Sequence, residues 1–228
     1  MELLDIFDWI NYIVEVLMGV VFALLCFRQA GKDEDTRLFF LLLSGFFGCV
    51  FMSDFFFVLL WMIEDYPFVF SAGDISWVGG YLFLIAAALC LMDGWTREWK
   101  EAARRYSLPA LAAPAVCVAF NVFFIYSYPE ITVNYLLYAI PTVILLYQSL
   151  RLYLAGQKAG IQPGMQRYHF IVLGWLALQM VCDLFTTVRD SYIHSVIGTA
   201  LWYIVMFAMP GIYFSAKKGV RPVLPAET

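Results

Sequence analysis

Seven apolar segments, each long enough to cross a lipid bilayer as a helix, follow one another along this chain of 228 residues. A helix rises about 1.5 Å per residue, so about twenty apolar residues span a hydrocarbon core of roughly 30 Å. The segments cover residues 9–27, 38–63, 75–92, 108–128, 133–154, 169–188 and 195–216. The sequence therefore predicts an all-α polytopic membrane protein, folded as a seven-transmembrane-helix bundle.

The composition agrees with this fold class. Hydrophobic residues make up 63% of the chain and the mean hydropathy is +0.78, whereas soluble domains are about half apolar. We expect one seven-helix transmembrane domain over residues 1–218 and a short cytoplasmic tail over residues 219–228. The first segment follows an acidic N-terminus and lacks a small-residue cleavage site, so we expect a retained helix rather than a signal peptide.

The basic residues predict the orientation of the bundle. Thirteen of the fourteen lysines and arginines lie on one side of the predicted membrane, and only Arg189 lies on the other. By the positive-inside rule, the N-terminus is outside and the C-terminus is in the cytoplasm. The short basic stretch Trp95–Arg105 is expected to form a helix at the inner interface.

Polar residues inside the apolar segments collect, in this orientation, in the outer half of the membrane. Asp54 is the least expected of them, because its neighbours Phe51, Met52 and Phe55 offer no polar partner. An ionised group at this depth costs at least a few kcal/mol unless it is paired, hydrated or neutralised. Chains that keep such groups in the membrane usually use them.

Helical spacing places these polar residues on shared faces. Asp74, Trp77 and Tyr81 follow the i, i+3, i+7 pattern, and Gln179 and Asp183 are one turn apart. We therefore predict an acidic pocket that opens to the outside beneath the connections 66–73 and 189–195. The predicted ligand-binding residues are Glu15, Asp54, Asp74, Trp77, Tyr81, Asn121, Gln179, Asp183 and Arg189.

Three functions are compatible with such a pocket. The first is a binding site for a small cationic or amine-bearing ligand, with Trp61, Trp77, Tyr81 and Tyr126 as aromatic walls. The second is a proton- or cation-coupled transport site for a small molecule. The third is an intramembrane hydrolase in which Asp54 and Asp183 act as general acid and base. Each acid can also serve only to bond a neighbouring helix.

Several chemistries lack their sequence signatures. No lysine lies within residues 196–216 to form a retinal Schiff base, and Asp54 is not preceded by the Gly-x-Gly of intramembrane aspartyl proteases. HExxH, GxSxG, clustered histidines and paired cysteines are also missing from the sequence. We therefore expect no cofactor, no metal site and no nucleic-acid partner, and an enzyme is disfavoured.

One internal pattern concerns the order of the segments. Segments one to three and five to seven run in matching directions, and each middle segment carries one acid, Asp54 or Asp183. This is compatible with a three-plus-one-plus-three parallel repeat. Sugar carriers of that architecture have the same helix count, but of their characteristic prolines only Pro141 has a counterpart here.

One stretch of about 45 residues resembles the multi-helix membrane sensor regions that precede bacterial histidine kinases and diguanylate cyclases. The residues that carry the resemblance are Gly48, Ser53-Asp54, Tyr66-Pro67, Ser71 to Asp74, Trp77, Gly79-Gly80-Tyr81 and Leu91. It implies a bacterial inner or plasma membrane, and a membrane half that signals through a cytoplasmic partner or works as a binding protein in its own right. The expected partners are that signalling protein or further copies of the chain in a homo-oligomer.

We therefore expect a sensor or receptor-like protein that binds a small ligand from outside and passes a helix shift to its cytoplasmic ends. There the stretch Trp95–Arg105 and the basic tail would form the contact surface. Transport is the alternative function. It ranks second because a carrier normally has a midplane site between a matched pair of interrupted helices, and the sequence has no such pair.

Overall fold

Helices make up almost all of the computed structural model, which describes residues 3–63, 71–93, 97–127, 132–158, 163–187 and 192–219. The helices are α1 (Leu3–Ala30), α2 (Arg37–Ile63), α3 (Ala72–Asp93), α4 (Arg97–Arg105), α5 (Ala112–Ser127), α6 (Thr132–Lys158), α7 (Pro163–Thr187), α8 (Tyr192–Ala208) and α9 (Pro210–Gly219). A single 3-10 turn, Pro109–Leu111, precedes α5. No strand occurs within the described ranges.

Seven helical stretches of the described chain are long and apolar enough to cross a membrane. They are Trp9–Ala30, Arg37–Leu60, Ala72–Leu91, Pro109–Ser127, Leu136–Gly156, Met165–Phe185 and Tyr192–Gly219. The prediction of an all-α, multi-pass membrane protein is therefore confirmed. The orientation of the termini stays a prediction.

The helix surfaces are apolar outside and polar inside, as expected for a bundle in lipid. On α1 the exposed side chains include Leu17, Val21 and Leu24, whereas Asn11 and Glu15 are buried. This is the reverse of a helix in a soluble protein, whose exposed face is polar. The bilayer is thus the environment that the outer surface fits.

The beginning of α3 is defined by a capping box. The backbone N–H and the hydroxyl of Ser71 both donate to Asp74 Oδ2, at 2.7 and 2.8 Å. The Asp74 backbone N–H donates in return to Ser71 Oγ at 3.4 Å. The helix therefore begins at Ala72, slightly earlier than the apolar pattern predicts.

Prolines affect the predicted spans differently. The seventh span is divided, because α8 ends at Ala208 and α9 begins at Pro210. Proline has no N–H to donate and cannot continue a helix without a break or kink. Pro141 lies inside α6 without ending it, and Pro114 lies near the beginning of α5.

Helices α1, α2 and α3 pack as antiparallel neighbours. Ser44 Oγ on α2 donates to the carbonyl oxygen of Ala23 on α1 at 2.9 Å. Nearer the beginning of α1, Gly19 packs directly on the backbone of Phe51, where an added Cβ would lie 2.8 Å from the Phe51 nitrogen. Glycine therefore permits the close approach of these two helices.

Helices α2 and α7 run parallel to each other, with large aromatic side chains between them. The ring centroids of Phe39 and Tyr168 are 5.4 Å apart, and those of Phe46 and Trp175 are 5.7 Å apart. Phe46 and Trp175 each lie about two turns beyond the first pair. All four rings are buried, so an aromatic core fills the half of the bundle in which α2 and α7 begin.

Candidate functional site

A cavity of ≈ 280 Å³ lies beyond the aromatic core, towards the ends of α2 and α7. Residues of α1, α2, α3, α5, α6, α7 and α8 line it. Its polar lining consists of Glu15, Ser53, Asp54, Cys117, Asn121, Thr142, Gln179 and Asp183. Its aromatic lining consists of Phe57, Trp77, Tyr81, Phe120, Tyr138 and Trp202. Seven of the nine residues that the sequence predicts for the site line this cavity, and Asp74 does not. The ninth, Arg189, lies outside the described residues.

Glu15 and Asp54 form the first acidic wall. They are 3% and 4% exposed, and they lie close enough for their charges to interact. The indole N–H of Trp202 donates to Glu15 Oε1 at 2.9 Å. Among the described residues, Asp54 Oδ2 has no hydrogen-bond partner. Two neighbouring carboxylates in a buried site favour a shared proton or a bound cation.

The close contact of α1 with α2 explains why these two acids meet. Gly19 lies one turn beyond Glu15 on α1, and Phe51 lies just before Asp54 on α2. Because the Gly19 Cα rests against the Phe51 backbone, the two carboxyl-bearing positions are brought to adjacent places on the cavity wall.

Asp183 belongs to a second wall, on α7. Gln179 Nε2 donates to Asp183 Oδ1 at 2.9 Å, which is the i, i+4 pairing that the sequence predicts. Asp183 lies about two turns beyond Trp175, as Asp54 lies about two turns beyond Phe46. The parallel register of α2 and α7 therefore places Asp54 and Asp183 at the same level of the bundle.

Aromatic rings form the floor and one side of the cavity. Trp175 joins the core to the lining, since its ring centroid is 6.3 Å from that of Trp77 and 6.0 Å from that of Tyr81. On another side, the rings of Trp202 and Tyr12 meet edge to face at 5.0 Å. Aromatic faces attract cations electrostatically.

Asp74 is near the cavity but is engaged elsewhere. Its Oδ2 accepts the two hydrogen bonds from Ser71, and its Oδ1 accepts the hydroxyl of Tyr138 at 2.5 Å. Tyr138 is itself a lining residue. Asp74 therefore positions Tyr138 and caps α3, and the structure does not bring its carboxylate into the lining.

Three other expectations have different outcomes. Tyr126 is 89% exposed, so the prediction that it forms an aromatic wall is wrong. Arg189, the side chain of Trp61 and the connecting residues 64–70 and 188–191 lie outside what the structure describes. The predicted roof of the pocket stays a prediction for that reason.

Three residues that line the cavity, Tyr138, Thr142 and Trp202, were not predicted from the sequence. Tyr138 and Thr142 are one helical turn apart on α6, which is a usable indication of a shared face. For Trp202 no comparable indication exists, because a tryptophan in an apolar segment also suits lipid or the interface.

Asn121 shows how a polar side chain is held on α5. Its amide donates to the carbonyl oxygen of Cys117 at 2.8 Å and to the Cys117 sulfur at 3.4 Å. The bond to the preceding turn satisfies its donor within the helix. Both Asn121 and Cys117 line the cavity.

Comparison with protein-family models, with curated proteins and with solved structures found no match to this chain. Chemically, the lining combines three carboxyl groups with several aromatic rings, and none of the described residues that form it is basic. Within the described ranges, no group of three or more His, Cys, Asp and Glu side chains could hold a metal ion. Carboxylate groups and aromatic faces both attract positive charge.

Proposed function

We propose that this membrane protein binds a small organic cation, such as a primary amine, in the cavity. The observation that carries the proposal is the presence of Glu15, Asp54 and Asp183 around one cavity whose described lining has no basic side chain. An ammonium group would donate to these carboxylates and lie against the aromatic rings. A volume of ≈ 280 Å³ is close to the lower end of the range for small-molecule sites.

A receptor is favoured over a carrier by what lies beneath the cavity. Trp175 is 2% exposed and Phe46 is 1% exposed, and their rings pack between α2 and α7. A ligand would have to displace this core to cross the bundle, and tightly packed interiors resist such displacement. The proposed role is therefore to sense a ligand on one side of a membrane.

In the proposed sensing mechanism, the ligand changes the spacing of α2 and α7. Their aromatic contacts carry that change to the opposite end of the bundle, which the positive-inside rule makes cytoplasmic. There α4 exposes Lys100, Arg104 and Arg105, which would form a contact surface for a signalling partner. Location in a bacterial inner or plasma membrane and assembly into a homo-oligomer belong to the same proposal.

A coupled transporter is the second candidate, because two observations favour it. Asp54 and Asp183 occupy level positions on parallel helices, as a three-plus-one-plus-three carrier would require, and the seventh span is broken before Pro210. A hydrolase that uses the same two acids is the third candidate. It shares the acids but lacks a further observation in its favour.

Titration calorimetry of the purified protein with 1-aminobutane tests the binding proposal. We expect Asp54→Asn to weaken binding about 10- to 100-fold, because a hydrogen bond to a charged group contributes about 1.5–3 kcal/mol. Asp35→Asn is the matched control, since Asp35 is exposed in the connection between α1 and α2. Equal binding by the wild type and the Asp54→Asn variant would contradict the proposal.

Flux measurements separate the receptor from the carrier. In proteoliposomes with a proton or sodium gradient, a receptor binds the amine without net uptake. Gradient-dependent uptake that disappears in Asp54→Asn would establish transport. Turnover of a lipid or peptide that both Asp54→Asn and Asp183→Asn abolish would establish the hydrolase.

A further inference from the structure

The exposed side of α4 is basic. Lys100, Arg104 and Arg105 are exposed, and the whole helix contains four basic and two acidic residues. On its other side, Ala103 is buried in a small apolar cluster that also includes residues of α3, α6 and α7. Helix α4 is therefore fixed to the bundle by one face and presents its positive charges on the other.

The neighbouring spans place α4 at the edge of the membrane. The span before it ends at Leu91, and the span after it begins at Pro109, four residues beyond Arg105. Even a fully extended chain of four residues covers only about 14 Å, and this connection contains a turn in which the Ser107 N–H donates to the Arg104 carbonyl oxygen at 3.2 Å. The long side chains of α4 therefore reach the lipid headgroups, which form a layer roughly 5–8 Å thick next to the hydrocarbon core.

An exposed apolar stripe continues from this basic edge into the membrane. It begins in the turn after α4 and follows helical spacing along α5; its exposed members are Leu108, Leu111, Val118 and Val122. A phospholipid presents the same order of groups, since its charged phosphate is joined to hydrocarbon chains. The surface therefore matches a lipid along its length, whereas a soluble protein partner would meet only the charged end.

The positive charge of α4 is a local feature of this side of the bundle. In the connection between α1 and α2, Lys32 is followed by Asp33, Glu34 and Asp35, all of which are exposed. This connection is therefore acidic and would repel an anionic headgroup. Each basic residue near an anionic membrane surface strengthens binding about fivefold, so α4 is the better place for an anionic lipid.

We propose that α4 binds the headgroup of an anionic phospholipid, such as phosphatidylglycerol. The guanidinium groups of Arg104 and Arg105 donate to the phosphate oxygens, for which the planar fork of arginine is suited. Lys100 adds positive charge, and an acyl chain lies along the stripe that begins at Leu108. The site is separate from the cavity, and a cytoplasmic protein that contacted the same side chains would have to displace the lipid.

Native mass spectrometry of the purified protein in micelles tests this inference. The two probes are phosphatidylglycerol and phosphatidylcholine with identical acyl chains, titrated separately. In the wild type we expect phosphatidylglycerol to bind at least about tenfold more tightly. Arg104→Gln/Arg105→Gln should remove most of this preference and leave the affinity for phosphatidylcholine unchanged. Arg104→Lys/Arg105→Lys keeps the charge and should retain a preference for phosphatidylglycerol.

Arg28→Gln/Lys32→Gln is the matched control, since it removes two exposed basic residues at the end of α1 and just beyond it. This variant should keep the preference of the wild type. Equal affinities of the wild type for the two lipids would overturn the inference. So would a preference that survives Arg104→Gln/Arg105→Gln, or an equal loss in the control, which would show that the charge acts without a site on α4.

The test is independent of the proposed function. The described cavity lining includes no residue of α4, so Arg104→Gln/Arg105→Gln should bind 1-aminobutane with wild-type affinity, which also shows that the variant is folded. If the double variant does not fold, Arg105→Gln alone carries the test and should lower the affinity for phosphatidylglycerol about fivefold. An unchanged affinity in a folded Arg105→Gln variant would overturn the inference.

Discussion

Gly19→Ala should separate the two acids of the first wall. The added Cβ would lie 2.8 Å from the Phe51 nitrogen and 2.9 Å from its Cα. These are backbone atoms, so the contact is relieved only if α1 and α2 move apart. Because Glu15 is one turn from Gly19, the movement also draws its carboxyl group away from Asp54.

Two opposing effects determine how much Gly19→Ala changes the free energy of unfolding. Overpacking a tight contact costs about 1–3 kcal/mol, and replacing glycine by alanine in a helix returns up to about 1 kcal/mol. We expect a net loss of about 1–2 kcal/mol in the free energy of unfolding. We also expect the affinity for 1-aminobutane to fall about tenfold, equivalent to about 1.4 kcal/mol.

Gly48→Ala is the matched control. It is also a helical glycine, on α2, but a Cβ added there meets nothing within 4 Å. This variant should keep its affinity and gain up to about 1 kcal/mol of stability. The measurements are chemical denaturation in micelles and calorimetry with 1-aminobutane. If Gly19→Ala matched Gly48→Ala in both, the close approach of α1 and α2 would not be what holds Glu15 beside Asp54.

Three further variants test individual contacts by the same two measurements. Trp202→Phe removes the donor to Glu15 and should lower the free energy of unfolding by about 1–3 kcal/mol; no loss would argue against that hydrogen bond. Tyr138→Phe removes the hydroxyl that donates to Asp74 and should lower the free energy of unfolding by about 1 kcal/mol. In an Asp74→Asn background the same change should lower it by less, because the two side chains are coupled; an equal loss would argue against the coupling. Tyr126→Ala should leave amine binding unchanged, because this side chain is exposed and does not line the cavity; weakened binding would contradict its placement.

The fold and the acidic part of the cavity lining could be predicted because the surroundings are so apolar. In a segment such as α2, Asp54 is distinguished by its cost in lipid, and that cost alone directs it to the interior. Helical spacing then groups Gln179 with Asp183. The basic residues in the connections predict which end of each helix is cytoplasmic. That orientation assigns Asp54, Gln179 and Asp183 to the same half of the bundle.

The other lining residues depend on tertiary packing that no local pattern records. Trp202 and Tyr138 have side chains that are equally suited to lipid, core or cavity, and only the neighbours of α8 and α6 decide between these environments. Asp74 is a different case. The spacing Ser71-x-x-Asp74 is a recognisable capping box, so its structural role could have been inferred from the sequence.

Binding in the cavity should depend on the positive charge of the ligand, because the lining carries three carboxyl groups. Calorimetry should compare 1-aminobutane with 1-butanol, which has a similar shape but no charge, on the wild type and on Asp54→Asn. We expect saturable binding of the amine, much weaker binding of the alcohol, and loss of this difference in the Asp54→Asn variant. Equal affinities of the wild type for amine and alcohol would contradict it.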